Sequence, residues 1–364
     1  MEGEPCHTEK AEGKCVHIFK CLSTVLDIKN KEYPQICSFR GKEPVVCCTD
    51  CELVNDTRDA VVDNKEGIYF KNGRKARDKC IEYLTKLPDT CETKGLKRFW
   101  NSQDDCHIFE NGYPTVVVGG LDVDLYRYPH MALLGFGQDE SSASWLCGGS
   151  LISETFVLTA AHCRSSHSLG PVRFVAMGIL KRSEPEERWQ VFTITRVITH
   201  PDYAPPSKYH DIALLELSRP ITYSKEVFPA CIDVGGGPHS SAAATGWGKL
   251  GKNSPLADNL QEVNLEEFSA SECRRHFPPH RLLKRGYMHK MQMCYGGDAE
   301  TEPRDTCEGD SGGPLQVVSE LSKCLRTIIG VTSYGRACGY AGVAGMYTRV
   351  HHYVPWIESI VWPD

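Results

Sequence analysis

Three residues of this sequence have the types and settings needed for nucleophilic catalysis. Ser311 lies in GDSGGP. A serine hydroxyl attacks a carbonyl only when a neighbouring base takes its proton. The flanking glycines permit a tight backbone turn and bring N–H groups toward a developing oxyanion. Taken alone, a serine among glycines is most often a plain turn, so its reading depends on partners elsewhere. His162, in TAAHC, follows an apolar run and adjoins a cysteine that can pin its turn. Asp211, in YHDIALLEL, opens another apolar run and is expected to be partly buried. A buried carboxylate is costly unless paired. A histidine N–H supplies that pair and fixes the imidazole tautomer.

The elements that must position these residues have a β texture. From residue 117 onward short β-prone runs recur (TVVVGG, MALLGFG, FVLTAA, VFTITRVITH, DIALLEL, TIIGVTSYG, GMYTRV), separated by segments rich in Gly, Pro, Ser and Asn. This pattern predicts an all-β sandwich or barrel. The last stretch, TRVHHYVPWIESIVW, carries apolar residues at near-helical spacing and predicts a closing helix.

The bulk composition limits the function classes. At 364 residues the chain suits two or more domains. A formal net charge of −6 gives no reason to expect a nucleic-acid partner. No apolar run reaches the length of about 18 residues that a membrane span needs. Eighteen cysteines without paired CxxC zinc spacing point to disulfides and an oxidising, extracellular setting. Residues 1–20 lack the apolar core of a signal peptide, and the cysteines are given more weight than that absence.

The N-terminal region divides by texture. Residues 1–50 hold Cys6, Cys15, Cys21, Cys37, Cys47 and Cys48 and read as a small disulfide-stapled module. Residues 51–116 are charge-rich, with few apolar runs, and read as an exposed linker tied down in places by Cys51, Cys80, Cys91 and Cys106. Asn55-Asp56-Thr57 is a glycosylation sequon. Residues 117–364 form the third unit.

TAAHC, DIALLEL and GDSGGP, in that order, resemble the chymotrypsin-type serine proteases over residues 117–362. The resemblance implies an all-β, chymotrypsin-like double six-stranded β-barrel with a C-terminal helix and the site in the cleft between barrels. It implies an oxyanion hole from the amides of Gly309 and Ser311. Asp305 falls where trypsin-like members place the carboxylate at the base of the specificity pocket, and Gly335 and Gly345 match the small residues that keep that pocket open. Arg or Lys before the scissile bond is the implied preference.

VVGG at 117–120 resembles the start of the mature protease in this family. Cleavage between Val116 and Val117 would free an ammonium group, which in the family pairs with the aspartate before the nucleophile, here Asp310. Many members carry Arg or Lys before the cut. Val116 departs from that pattern, so self-activation by a tryptic enzyme is not expected, and an upstream protease accepting a medium apolar residue is.

The spacing C-x8-C-x5-C-x15-C-x9-CC resembles the clip domain of arthropod clip-domain serine proteases. Six cysteines alone allow fifteen connectivities. The family pattern implies Cys6–Cys47, Cys15–Cys37 and Cys21–Cys48 here, and Cys147–Cys163, Cys273–Cys294 and Cys307–Cys338 in the protease unit. Cys231 matches the position that holds the cleaved light chain, with Cys80 or Cys106 as its partner. KCIEYLTKL before a non-basic cut, with Cys324 after GDSGGP, resembles the clip-C subgroup. The implied role is a secreted zymogen acting on a downstream protease zymogen in an immune or developmental cascade, with a serpin as inhibitor. A non-catalytic scaffold is the alternative. No cofactor or metal is expected to be required. Glu184, Glu186 and Glu187 lie in the loop where some relatives bind calcium, although clustered loop glutamates are more often a solvated face.

Overall fold

The computed structural model describes residues 3–8, 12–21, 24, 33–41, 43–49, 73–86, 116–117, 120–123, 126–184, 188–249, 251, 254–297, 309–319, 321, 325–335 and 344–363. Asp305, Cys307, Cys338, Asn55, Glu186, Glu187, Cys51, Cys91, Cys106 and Cys324 lie outside them.

Near the N-terminus, β1 (Pro5–His7), β2 (Glu12–His17), β3 (Ile36–Arg40) and β4 (Glu43–Cys48) form one antiparallel sheet in the order β1-β2-β4-β3. Val16, Ile18, Cys21, Val46 and Cys48 make its buried cluster. So few apolar residues give little core, and three disulfides supplement them: Cys6–Cys47, Cys15–Cys37 and Cys21–Cys48.

Inside the segment read as an exposed linker, residues 73–86 depart from that reading. Helix α1 (Arg74–Thr85) packs its inner face onto the protease unit, burying Ala76, Cys80, Ile81 and Tyr83. Those positions fall on one helical stripe, which the surrounding Arg, Lys and Asp residues disguise in the composition. Cys80 is bonded to Cys231, which settles the choice left open between Cys80 and Cys106. Tyr83 Oη donates to the Ile152 carbonyl at 2.8 Å.

The protease unit begins with the hairpin β5 (Val116–Val117) and β6 (Gly120–Asp122). The first barrel uses β7 (Met131–Phe136), β8 (Ser144–Leu151), β9 (Phe156–Thr159), β10 (Ser165–Ser166), β11 (Gly170–Met177), β12 (Gln190–Thr199) and β13 (Ala213–Leu217). Six of these close in the order β11-β12-β13-β9-β8-β7, with β7 pairing back to β11 and β10 appended. Leu134, Leu158, Val175 and Leu214 are buried in the packed core. Fully burying such a side chain contributes about 1.5–3 kcal/mol.

The second barrel follows β14 (Cys231–Ile232) and uses β15 (Ser241–Gly246), β16 (Gln261–Glu267), β17 (Gln292–Gly296), β18 (Pro314–Val318), β19 (Arg326–Gly335) and β20 (Ala344–Arg349), with helix α2 (Ala270–His276) between β16 and β17. Its six strands close as β15-β18-β19-β20-β17-β16, with β16 pairing back to β15. Leu265, Met293, Tyr295, Leu315, Ile329 and Tyr347 fill it. The β5–β6 hairpin extends this sheet from β16, so Val116–Val117 lies on its outermost strand. Cys147–Cys163 and Cys273–Cys294 are also formed.

Helix α3 (Val354–Val361) closes the chain, burying Val354, Ile357, Glu358 and Val361. That spacing is one helical face, and Pro355 sits in the first turn, where its missing N–H costs nothing. Glu358 reaches α1: its carboxylate accepts the N–H of Gly73 at 2.9 Å and of Ala76 at 2.8 Å. No helix among the described residues is long and apolar enough to cross a membrane.

Candidate active site

Three turns set the site, two from the first barrel and one from the second. His162 lies in a short 3-10 turn, 161–164, that follows β9. The Cys147–Cys163 bridge ties that turn to β8. Asp211 precedes β13 and follows His210, whose φ of 55° is left-handed. The Ile212 N–H closes the turn onto the His210 carbonyl at 2.9 Å.

Asp211 is 1% exposed, and both its carboxylate oxygens and its carbonyl are engaged. Oδ1 accepts the main-chain N–H of His162 at 2.9 Å, and Oδ2 lies 2.8 Å from His162 Nδ1. Ser333 Oγ also donates to Oδ2. Thr348 Oγ1 donates to the Asp211 carbonyl at 2.9 Å. Burial alone would raise the carboxyl pKa. The charge of His162, with hydrogen bonds from His162 and Ser333, outweighs burial and holds Asp211 below the ordinary carboxylate value. An ionised Asp211 beside Nδ1 keeps that nitrogen protonated and leaves the Nε2 lone pair to act as a base. The His162 side chain is 27% exposed, so a substrate can reach it.

Ser311 comes from the turn before β18. Its carbonyl accepts the Gly148 N–H of the first barrel at 2.8 Å, which locks the two barrels together beside the candidate nucleophile. No hydrogen bond joins Ser311 Oγ to His162 Nε2 among the described residues. Such contacts are commonly loose before substrate binds. The turn requires glycine at two positions. Gly309 has φ 105°, and a Cβ there would strike Leu256 and the Gly248 backbone. Gly312 has φ 79°, and a Cβ would strike Thr159 Oγ1 and the Gly148 carbonyl. The amides of Gly309 and Ser311 donate to no acceptor among the described residues.

The Asp310 carboxylate lies against Gly246 and Gly248, and its Oδ1 accepts the Gly248 N–H at 2.8 Å. Gly335 of β19 and Gly345 of β20 are direct cross-strand partners. Val116 and Val117 pair with Leu121 and Gly120 in the hairpin.

The structure thus gathers His162, Asp211, Ser311, Gly309 and Asp310, and pairs Gly335 with Gly345. Four residues escape the sequence reading. Ser333 and Thr348 arrive from strands more than a hundred residues beyond Asp211, and nothing in their local sequence marks them. Gly246 and Gly248 flank Trp247 as GWG, a pattern whose close approach to Asp310 only the fold reveals.

Two six-stranded barrels with serine, histidine and aspartate at their junction define a chymotrypsin-like serine protease. The family model described as Trypsin matches residues 117–357. Over 356 residues the chain is 31% identical to Serine protease snk of Drosophila melanogaster, covering 96% of this chain and 76% of that protein. CLIP domain-containing serine protease C9 of Anopheles gambiae is 31% identical, over 77% of this chain and 78% of its own length. Phenoloxidase-activating factor 3 of Holotrichia diomphalia is 33% identical, with 77% and 78% covered. The chain belongs to the trypsin family and is an arthropod clip-domain serine protease, a trypsin-like serine endopeptidase.

Proposed function

We propose that the chain is a secreted zymogen, activated by cleavage between Val116 and Val117, that cuts after Arg or Lys in a downstream protease zymogen. The observation that carries this reading is the enclosure of Asp211, whose buried carboxylate grips both the main chain and the ring of His162. A charge desolvated to this degree has a use only if it holds its histidine in one tautomer and orientation.

In this mechanism His162 Nε2 takes the proton of Ser311 Oγ as the oxygen attacks the scissile carbonyl carbon. The Gly309 and Ser311 amides hold the resulting oxyanion. His162 then passes the proton to the leaving amine, and the peptide C–N bond breaks. A water, deprotonated by His162, releases the acyl group from Ser311 and restores the enzyme. Asp305 would receive the Arg or Lys side chain, with Gly335 and Gly345 keeping the pocket open.

Activation supplies what the uncut chain lacks. The new Val117 ammonium pairs with Asp310 and orders the turn that holds the Gly309 and Ser311 amides. The Val116–Val117 bond lies in an edge strand, where an upstream protease can reach it. The cascade role draws support from relatives named as clip-domain proteases and as a phenoloxidase-activating factor. A serpin is the expected inhibitor, and no cofactor is required for the chemistry. The residues 1–50 module docks the enzyme to its partners.

The test uses a variant whose 113–116 segment is replaced by an enterokinase site, assayed on paired Arg and Phe chromogenic peptides before and after cutting. Arg-selective hydrolysis that appears only after the cut and is absent in Ser311→Ala is expected. Equal hydrolysis before cutting would remove the zymogen reading, and Phe preference would remove the assignment of Asp305.

A further inference from the structure

A second cluster of chemically capable side chains lies one residue away from Asp211. His200, which directly follows β12, and His210 stack their rings at 5.1 Å between centroids and 11° between planes. Asp202 extends beside them, its Oδ2 3.9 Å from His200 Nδ1. One ligand atom from each of His200, Asp202 and His210 falls within 4.8 Å of the others. The peptide-cleavage mechanism uses none of the three. We propose that His200, Asp202 and His210 bind a divalent transition-metal ion of the zinc type, and that the bound ion slows the protease through the turn carrying Asp211.

The donor set suits this class of ion. Two imidazoles and one carboxylate give three protein ligands and leave a fourth position for water, a common zinc arrangement, whereas calcium and magnesium prefer all-oxygen shells. Access is adequate: the Asp202 side chain is 69% exposed, while that of His200 is 13% exposed and packed. Tyr353 Oη lies 3.2 Å from His210 Nδ1, an outer partner of the kind that orients a metal-binding imidazole. At His200 the ion displaces at most one long contact, the Asp202 N–H at 3.2 Å from Nδ1.

The connection to catalysis is through the backbone. His210 holds the left-handed φ of 55° and immediately precedes Asp211. The Ile212 N–H reaches the His210 carbonyl, and the His200 N–H reaches the Ile212 carbonyl at 3.1 Å. Both histidines are therefore tied through their main chains to the turn that carries Asp211. Zinc–ligand distances of about 2.0–2.2 Å bring ligand atoms to within about 3.5 Å of each other. The ligand atoms, spread over separations of up to 4.8 Å, must close on the ion, and that draws His210 toward His200. A displacement on the order of 1 Å next to a catalytic group costs about 100-fold in rate, so a partial shift of Asp211 is enough to inhibit.

Calorimetric titration of the full-length chain with zinc chloride tests the site. Wild type is compared with His200→Gln, Asp202→Asn and His210→Asn, the last chosen because Asn tolerates the left-handed backbone. The expected result is one zinc ion bound by wild type, with affinity about tenfold or more weaker in the His200 and His210 variants. In the cleaved enzyme, zinc at saturation is expected to lower kcat about tenfold with KM little changed, and His200→Gln is expected to be insensitive. Undiminished zinc affinity in all three variants, or no binding by wild type, overturns the site. Normal variant-sensitive binding with unchanged kcat overturns the coupling to Asp211. Should His210→Asn fail to fold, His200→Gln and Asp202→Asn, at a largely buried and an exposed position, still decide the question.

Discussion

Asp310 Oδ1 accepts the main-chain N–H of Gly248 at 2.8 Å, and the carboxylate lies directly on the bare Cα faces of Gly246 and Gly248. A methyl group at either glycine would collide with the Asp310 carboxylate. The carboxylate cannot retreat without moving Ser311, its chain neighbour. Gly246→Ala and Gly248→Ala are therefore expected to fold, to be cleaved after residue 116, and to show at least about tenfold less amidolytic activity, the equivalent of about 1.4 kcal/mol. Full activity in both cleaved variants would remove Asp310 from the switch.

The bond between Cys80 and Cys231 crosses the proposed cut. Cleaved protein should run as one species in non-reducing electrophoresis and as two after reduction. Two bands without reductant would contradict the tether.

Glu358 answers the open N-terminus of α1, which has no acidic residue in its first turn. Its carboxylate satisfies two otherwise orphaned amides and opposes the helix dipole. Glu358→Ala leaves those amides buried without an acceptor, and a loss of about 1–3 kcal/mol is expected. Urea unfolding monitored by tryptophan fluorescence measures it. Glu358→Gln keeps an acceptor and should lose less.

His130 makes stability sensitive to acid. Burial, aided by the positive charge of Arg326, lowers its imidazole from 6.5 to about 3 in the folded chain. The unfolded chain thus binds a proton that the folded chain refuses between pH 6.5 and about 3. Stability is fully present above pH 6.5 and falls as pH drops through that window. The slope from this one group approaches about 1.4 kcal/mol per pH unit. His130→Gln should flatten the dependence of the urea midpoint on pH between 6 and about 4, whatever it does to stability at neutral pH. An unchanged slope would show that other groups dominate.

How much of this was legible beforehand follows from distance along the chain. Ser311, His162 and Asp211 each sit in a short motif whose neighbours serve the same residue, so local sequence carries them. The strand texture and the helical stripe of 354–361 announced the barrels and α3 for the same reason. Helix α1 was missed because its charged outer face dominates composition. The spacing of Ala76, Cys80 and Tyr83 was nevertheless a usable signal. Ser333 offered none, since a serine in a strand becomes a ligand of Asp211 only when β19 is laid beside β13's turn.

That hidden serine gives the sharpest test of the electrostatics. Ser333 is 3% exposed and donates to Asp211 Oδ2, the oxygen that also faces His162 Nδ1. Ser333→Ala removes one charge-assisted bond, worth about 1.5–3 kcal/mol in general, and leaves Asp211 both less stabilised as an anion and less well aimed. Its pKa should move up toward the ordinary carboxylate range. Because the folded value is depressed, Asp211 contributes stability that is present above the unfolded carboxylate pKa and lost as pH falls through the folded one. The variant should show less of this acid-side loss, from a lower starting stability. In the cleaved enzyme kcat should fall about tenfold. Thr348→Val removes a bond to the Asp211 carbonyl instead of its carboxylate, so its acid-side stability profile should keep the wild-type shape. If both variants alter that profile equally, packing around the loop governs the site, and the carboxylate contact does not.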